Sequence, residues 1–237
     1  MRVALVTGGG RGLGRAHALA LAARGMAVTV CDTGAELDGS AGDAAVADAV
    51  AAEIAAGGGT ALASHEDVAT HDGAAAAVAA TLERFGRMDV FFANAGFGAR
   101  RGFLEESVEH WHAMIDTNVL GAALSIRAAL GHFRDQNAGH MLLTSSVAGR
   151  RVLPGSLYSA TKWAVCAMGE ALRQEVAETD IKVTLIEPGM VDTPFFENRP
   201  SNALEPDDIA RAVMFALTQP PHVDVNEVLV RPIHQAG

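Results

Sequence analysis

Short apolar runs alternate with Ala-rich segments of helical character along the chain. The first runs are RVALVT at residues 2–7 and MAVTVCD at 26–32, and between them lies LGRAHALALAAR at 13–24. Short apolar runs that are rich in β-branched residues and end in glycine are typical of buried strands. A strand, a helix and a strand within about thirty residues form a βαβ unit, which implies a parallel sheet with a right-handed crossover.

The same alternation continues towards the C-terminus. Further strands are predicted at residues 60–67, 88–96, 140–146, 181–189 and 226–232, and further helices at 44–56, 73–85, 107–118, 121–134, 158–176 and 205–217. This pattern predicts an α/β fold, namely a single doubly wound Rossmann-fold domain over residues 1–237. Its parallel sheet would have about seven strands, with helices on both faces. The polar stretch 33–43 and residues 190–206 are predicted to be long loops, and the second is predicted to form a substrate lid.

Composition narrows the functional classes. The formal net charge is −10 and no basic run is longer than two residues, which argues against a nucleic-acid or anionic-membrane partner. Cys31, Cys166 and the histidines show no metal-binding spacing, so no metal site is predicted. No apolar run in the sequence reaches the length of a membrane span, and a soluble, cytoplasmic protein is expected.

The first strand is followed by a glycine-rich turn, TGGGRGLG at residues 7–14. Glycines at Gly8, Gly12 and Gly14 would let the backbone approach a pyrophosphate. The helix that begins near Leu13 would offer that anion its free N–H groups. A glycine-rich turn alone is weak evidence, but its position between a strand and a helix is the context that dinucleotide binding requires.

Two nearby side chains bear on the choice of cofactor. Asp32 follows Gly14 by 18 residues, at the end of the second predicted strand. A carboxylate there accepts hydrogen bonds from the adenosine ribose and repels a 2′-phosphate, which favours NAD. Arg11 argues for the alternative, NADP, because a guanidinium beside the turn could hold that phosphate.

A second motif lies at residues 144–162. Tyr158 and Lys162 are four positions apart, so on a helix they share one face. An ammonium beside a phenol lowers the phenol pKa from its ordinary value of ~10, which suits the phenol to acid–base chemistry. Ser145 or Ser146, at the end of the preceding strand, could hold a substrate oxygen. The alternative is an ordinary amphipathic helix with a packed Tyr and a surface Lys.

Together these motifs resemble the short-chain dehydrogenase/reductase family, in its short single-domain branch. TGGGRGLG at 7–14, Asn94-Ala95-Gly96, and Tyr158 with Lys162 stand in the family's order along nearly the whole chain. The resemblance implies a catalytic tetrad of Asn118, Ser146, Tyr158 and Lys162. It implies cofactor contacts from Gly8, Arg11, Gly12, Leu13, Gly14, Asp32, Asp67, Val68, Asn94, Ala95, Gly96, Tyr158, Lys162, Pro188, Gly189, Val191 and Thr193. The interval from Ser146 to Tyr158 is one residue shorter than the family pattern, which keeps Ser145 open as the serine.

The resemblance also implies a reaction, in which hydride transfer between a nicotinamide cofactor and the substrate interconverts a secondary alcohol and a ketone. Tyr158 would be the general acid/base, Lys162 would lower its pKa, and Ser146 would polarise the substrate oxygen. Asn118 would lie where the family's helix is locally distorted. A homotetramer or homodimer packed through helices near 103–134 and 158–177 is implied. The alternatives are a nucleotide-sugar epimerase or dehydratase and a catalytically silent nucleotide sensor.

Two arginine pairs, at residues 100–101 and 150–151, follow predicted strand ends where such proteins build a substrate pocket. They suggest recognition of an anionic substrate group. The alternative is ordinary surface charge.

Overall fold

The computed structural model describes residues 1–36, 40, 42–196 and 200–235. Its centre is a parallel sheet of seven strands in the order β3-β2-β1-β4-β5-β6-β7. The strands are β1 (Val3–Thr7), β2 (Ala27–Cys31), β3 (Thr60–Ser64), β4 (Val90–Ala93), β5 (Ala138–Thr144), β6 (Asp180–Pro188) and β7 (Glu227–Val230). The helices are α1 (Gly12–Ala23), α2 (Ala45–Ala56), α3 (His71–Phe85), α4 (Val108–Ile115), α5 (Ala122–Asp135), α6 (Leu157–Glu175) and α7 (Pro206–Leu217). The predicted α/β fold with its parallel sheet of about seven strands is confirmed.

The sheet has two apolar layers, one on each face. Alternate residues of a strand point to opposite faces, so Leu5 of β1 joins one layer and its neighbour Val6 joins the other. Helices α3, α5 and α6 cover the first layer, and α1, α2 and α7 cover the second. The strands read as nearly continuous apolar runs because both faces are buried.

Strand order reverses at β1, which pairs with β2 on one side and β4 on the other. The chain first builds β1, β2 and β3 outwards and then returns to the opposite side of β1. At such a switch point the connections leave the carboxyl ends of the two strands in opposite directions, so a crevice opens between them. This is the place where the predicted cofactor and substrate residues should meet.

Several strands end earlier than the sequence predicts. β3 ends at Ser64, β4 at Ala93 and β5 at Thr144, so Asp67, Asn94 and both serines lie in the following loops. The apolar pattern could not show where β4 ends, because beyond Ala93 the backbone bonds to a side chain of another strand. Asn94 N, for example, donates to Thr7 Oγ1 at 3.0 Å.

The two helices predicted near 107–118 and 121–134 are in fact one continuous helical run. Ser107 caps its start by accepting a hydrogen bond from His110 N. A π-helical segment, Asp116–Gly121, joins α4 to α5. Gly121 does not end the helix because its φ of −61° and ψ of −39° are helical. Wide π turns of this kind are frequent at functional sites, and this one carries Asn118.

The continuous run from 108 to 135 meets a length and composition criterion for a membrane span. It is long enough, and in one window apolar enough (mean hydropathy 1.2), to cross a membrane by length and composition alone. Only 28% of that window is buried within the described part of the chain. Helices that pack against protein share this composition, so the property is weak evidence for a span.

Candidate active site

A cleft of about 1960 Å³ opens at the carboxyl ends of the strands. Pockets for drug-sized ligands have volumes of about 300–1,000 Å³, so this cleft has room for a dinucleotide and a second molecule. Every residue predicted to contact the cofactor lines it: Gly8, Arg11, Gly12, Leu13, Gly14, Asp32, Asp67, Val68, Asn94, Ala95, Gly96, Tyr158, Lys162, Pro188, Gly189, Val191 and Thr193. Ser146 lines it too, whereas Asn118 is buried behind its wall. Residues 197–199 of the predicted lid lie outside the described residues.

The glycine turn is packed too closely for most side chains. Gly8 and Gly12 have φ values of 61° and 50°, a region that favours glycine. A Cβ on Gly14 would lie 1.9 Å from the carbonyl oxygen of Gly8 and 2.7 Å from Asn94 Nδ2. The first turn of α1 has no side-chain cap and no acidic residue, so its N–H groups are available to an anion. This cradle fits the pyrophosphate of a dinucleotide.

Asp32 and Arg11 are joined through the loop that follows β2. Asp32 accepts hydrogen bonds from Gly10 N and Gly34 N, each at 2.8 Å. Arg11 Nη2 donates to the carbonyl oxygens of Gly34 at 2.6 Å and Ala35 at 2.8 Å. The sequence could not reveal the bonds of Arg11, since they join residues more than 20 positions apart. The guanidinium thus already has two acceptors on the loop.

The three strands β1, β4 and β5 are tied together at their carboxyl ends through Asn94. Its Nδ2 donates to the Thr7 carbonyl at 3.0 Å, and its Oδ1 accepts from Thr144 Oγ1 at 3.0 Å. Thr7 Oγ1 accepts from Asn94 N and Ala95 N. Thr7 and Thr144 were not among the predicted site residues, although each is a threonine at the end of a buried strand, which is a signal visible in the sequence.

Tyr158, Lys162 and Ser146 converge at one point of the cleft wall. Lys162 is 4% exposed, and its Nζ donates to the Thr144 carbonyl at 2.9 Å. That nitrogen lies 5.6 Å from the centre of the Tyr158 ring. Ser146 shares a hydrogen bond with the Tyr158 phenol. A substrate oxygen could therefore meet two hydroxyl groups at once.

The two neighbouring serines point in opposite directions, as expected for consecutive residues of an extended chain. Ser145 is 2% exposed, and its hydroxyl donates to the Lys162 carbonyl at 2.9 Å. It also lies 3.1 Å from Cys166 Sγ. Ser146 is the serine that faces the cleft, despite the short interval before Tyr158.

Burial opposes the charged forms of both titratable groups. It raises the pKa of Tyr158 to about 12, and the hydrogen bond with Ser146 offsets only part of this. It lowers the pKa of Lys162 to about 8. The protein by itself thus keeps the phenol protonated at neutral pH. A further positive charge in the cleft would be needed to lower the phenol pKa.

Asn118 lies on the π turn, 1% exposed, and holds two elements together. Its Nδ2 donates to the Phe97 carbonyl at 2.9 Å and to Thr161 Oγ1 at 3.1 Å, while its Oδ1 accepts from Phe97 N at 3.0 Å. Thr161 in turn donates to the Tyr158 carbonyl at 2.8 Å. The side chain therefore fixes the loop after β4 against the first turns of α6.

An aromatic wall on the outer side of the cleft was not predicted. Phe195, in the loop after β6, has its ring centre 5.7 Å from that of Tyr158 and 5.2 Å from that of Phe196. Across the cleft the ring reaches Gly98, where a Cβ would lie 2.8 Å from Phe195 Cζ. Gly98 is held in turn by His110, whose Nε2 donates to its carbonyl at 2.7 Å. The wall makes this end of the cleft suited to an apolar group.

The two arginine pairs separate. Arg100 and Arg101 are exposed and line the cleft, whereas Arg150 and Arg151 are not among the described residues that line it. Arg150 does not face the cleft. Its Nε donates to Oε1 of Glu187, near the end of β6, at 2.6 Å. The hypothesis that Arg150 recognises a substrate anion is therefore wrong, because its charge is already paired.

The fold and this site define a nucleotide-binding α/β enzyme, and comparisons with known proteins identify the family. The family model described as short chain dehydrogenase matches residues 2–203, so the chain belongs to the short-chain dehydrogenase/reductase family. The predicted family and its oxidoreductase class are thereby confirmed. The predicted nicotinamide cofactor is confirmed by solved structures similar to this chain that contain NADP or NAD.

Similar proteins extend over the whole chain. An uncharacterised oxidoreductase of Staphylococcus saprophyticus is 38% identical over 98% of this chain and 97% of its own. A solved alcohol dehydrogenase of the archaeon Thermococcus sibiricus, complexed with 5-hydroxy-NADP, has a TM-score of 0.89 and 32% identity and covers 100% of this chain and 99% of its own. The 3-ketoacyl-(acyl-carrier-protein) reductase of Brucella melitensis, complexed with NADH, has a TM-score of 0.86 and 30% identity, with coverage of 97% and 96%.

Proposed function

We propose that this protein is a single-domain, NAD(H)-dependent dehydrogenase that interconverts a secondary alcohol and a ketone. The observation that carries the proposal is the convergence of the Ser146 and Tyr158 hydroxyls in the cleft, with the Lys162 ammonium held behind them. Two hydroxyls at one point suit a single substrate oxygen that gains or loses a proton. All four members of the predicted tetrad are present, which favours an enzyme over a silent sensor.

In the proposed mechanism Ser146 and Tyr158 hold the substrate oxygen between them. In the direction of alcohol oxidation the Tyr158 phenolate takes the hydroxyl proton, and in the direction of ketone reduction the phenol gives it back. Lys162 favours the phenolate through its positive charge. Asn118 acts through the Phe97 and Thr161 contacts that keep Tyr158 and the opposite loop in place. When bound, the nicotinamide ring supplies the site that accepts or donates hydride.

The residues that would hold the cofactor follow from the cleft. Gly8, Gly12, Leu13 and Gly14 would bind the pyrophosphate through backbone N–H groups. Asp32 would bind the adenosine ribose, and the adenine would lie against Asp67 and Val68. The remaining contacts, towards the nicotinamide end, would come from Asn94, Ala95, Gly96, Pro188, Gly189, Val191 and Thr193.

NAD is the preferred cofactor in this proposal. The Asp32 carboxylate lines the cleft and would repel a 2′-phosphate. Arg11 could neutralise that phosphate only by leaving two backbone acceptors and the nearby Glu36 carboxylate, 3.6 Å away. Solved relatives contain either type of cofactor, so the family alone does not decide the matter.

The choice of cofactor can be tested at Asp32. Asp32→Ala should lower the preference for NAD over NADP, measured as the ratio of the two kcat/KM values, by about tenfold or more. The variant removes the repulsion between the Asp32 carboxylate and the 2′-phosphate of NADP, and a change of ~1.4 kcal/mol in free energy corresponds to a factor of about ten. The measurement is steady-state kinetics with both cofactors. Asp72→Ala, at an exposed position on α3, is the matched control. An unchanged ratio in the Asp32 variant would contradict the assignment.

A substrate screen tests the reaction class directly. The absorbance of reduced nicotinamide is followed with a panel of secondary alcohols and ketones, each with NAD and NADP. The aromatic wall favours substrates with an apolar substituent beside the carbonyl, so aryl and alkyl ketones belong in the panel. Tight NAD binding without turnover of any compound would favour a sensor.

The pH dependence of alcohol oxidation should rise with the ionisation of Tyr158. Oxidation needs the phenolate, so its kcat/KM should increase with pH and level off above the phenol pKa in the cofactor complex. Without cofactor, burial raises the pKa of the Tyr158 phenol to about 12. The positive charges of bound NAD⁺ and of Lys162 should bring the midpoint of the pH profile well below that value. Reduction needs the phenol and should show the opposite slope.

Lys162→Met should move that midpoint upwards by about one unit or more, since a neighbouring charge shifts a pKa by 1–3 units. Lys182→Met is a matched control, because Lys182 also donates to backbone carbonyls but at the opposite end of the β-sheet. The measurement is the pH profile of kcat/KM in each variant. Identical midpoints in wild type and Lys162→Met would show that Lys162 does not tune the phenol.

A further inference from the structure

A buried carboxylate lies directly behind the proposed nicotinamide turn. Glu187 precedes Pro188 on β6 and is 1% exposed. Its Oε1 accepts from Arg150 Nε at 2.6 Å and from Cys166 Sγ at 3.2 Å. Burying a charge costs free energy unless the charge is paired and hydrogen-bonded, so the buried Glu187 carboxylate depends on these two partners.

The partners of Glu187 belong to the two segments that carry the rest of the proposed site. Arg150 follows Ser146 by four residues, in the connection that leads to Tyr158. Cys166 lies one helical turn beyond Lys162, and burial raises its thiol pKa to about 11, so the protonated thiol can donate. Cys166 also contacts Ser145, the neighbour of Ser146.

A second contact closes this arrangement on the cleft side. Ser146 Oγ donates to the Pro188 carbonyl at 3.4 Å. Side chains therefore join the segment after β5 to the end of β6 at two places, Ser146 with Pro188 at the cleft and Arg150 with Glu187 behind it. A backbone bond from Ser145 N to the Ile186 carbonyl at 2.8 Å joins the same segments. Arg150 extends the link to the edge strand, because its Nη2 lies 2.5 Å from Glu227 Oε1.

Arg150, Cys166 and Glu187 do not line the cleft formed by the described residues. They cannot touch a substrate or cofactor held there, and any effect on the reaction must pass through their neighbours. The connection from Ser146 to Tyr158 is short, so the contact of Arg150 with Glu187 can fix the positions of the residues on either side of Arg150. Charge-assisted hydrogen bonds of this kind have well-defined geometry.

We propose that Arg150 and Glu187 form a positioning pair that holds Ser146 in register with the Pro188–Gly189 turn. This inference rests on the proposed function, since it assigns Ser146 to the substrate oxygen and the turn to the nicotinamide. The pair sets the distance between these two groups and takes no part in the chemistry. Its loss should lower the rate of the bound complex more than it weakens the binding of cofactor.

The test uses the full-length protein with Arg150→Met, Arg150→Lys, Glu187→Gln and the double variant Arg150→Met/Glu187→Met. The two single neutral variants should lower kcat at least tenfold at saturating NAD and substrate, while KM for NAD changes less than twofold. Arg150→Lys keeps the charge and should recover part of kcat. The double variant removes both charges, so it should fold even where a single variant leaves one charge unpaired, yet its kcat should remain low.

Arg134→Met is the matched control, because Arg134 forms an exposed pair with Glu175 between α5 and α6. Its kcat should equal that of wild type. Thermal unfolding of every variant separates stability from rate. Wild-type kcat in the folded neutral variants, even with a lower Tm, would overturn the positioning role and leave the proposed function standing. A wild-type protein without turnover on any alcohol or ketone would overturn both.

Discussion

Replacing Tyr158 with Phe should lower kcat/KM for alcohol oxidation by about 10²–10⁴-fold, the usual contribution of a general acid–base group. Phe keeps the ring and its packing against Phe195 and removes only the hydroxyl. NAD affinity, measured by titration, and thermal stability should change little. Because Tyr158 is the chain's one tyrosine, no other phenol can replace it. Activity within threefold of wild type would contradict the assignment.

The two adjacent serines provide a control of matched chemistry. Ser146→Ala removes the hydroxyl that meets Tyr158 in the cleft. It should lower kcat/KM by about 10²-fold or more, because the loss of one preorganised hydrogen-bond donor to a reacting oxygen has an effect of this size. Ser145→Ala removes a buried bond to the Lys162 carbonyl instead. It should cost about 1 kcal/mol of stability and much less activity. Reversed results would make Ser145 the functional serine.

Replacing Gly14 with Ala should abolish NAD binding and destabilise the fold by about 3 kcal/mol or more, the upper range for overpacking. The new Cβ would lie 1.9 Å from the Gly8 carbonyl oxygen, so α1 must move away from the glycine turn. That movement would open the cradle proposed for the pyrophosphate. Urea unfolding and NAD titration measure the two effects separately.

Gly131→Ala is the matched control for that variant. Gly131 is an exposed residue of α5, and a Cβ there would meet nothing within 4 Å. Ala in a helix interior is favoured over Gly by about 0.5–1 kcal/mol, so this variant should be slightly more stable. Its NAD affinity should be unchanged. A Gly14→Ala protein with normal NAD affinity would show that the close packing at the turn is not needed for the cofactor.

The number and order of the strands and helices could largely be predicted, because each element is indicated by residues close together in the sequence. Apolar runs of a few residues mark buried strands, and glycines follow β1, β4 and β6 within a few residues. The limits of the elements were harder to predict. β4 stops at Ala93 because the next residue bonds to Thr7, which lies 87 positions earlier. The single helical run through Gly121 was missed because a glycine with helical dihedral angles looks the same in sequence as one that ends a helix.

The positions of the predicted site residues relative to one another required the tertiary structure. Which serine side chain faces the cleft, that of Ser145 or of Ser146, depends on where β5 ends. The shortened interval before Tyr158 left this choice open in the sequence. Arg150 looked like a substrate contact because it follows a strand end, but Glu187, 37 positions later, neutralises it. Phe195 and Gly98 become neighbours only when the loops after β4 and β6 meet over the cleft.

By itself, the sequence determined the α/β class, the glycine turn and the helical spacing of Tyr158 and Lys162, because each depends on residues close together along the chain. Tertiary structure alone decided which serine faces the cleft, what Arg11 and Arg150 bind and how far Tyr158 is buried. These depend on groups brought together by the order of the strands. Burial explains the difference most directly, since it raises the pKa of the Tyr158 phenol from its ordinary value of ~10 to about 12 inside the fold.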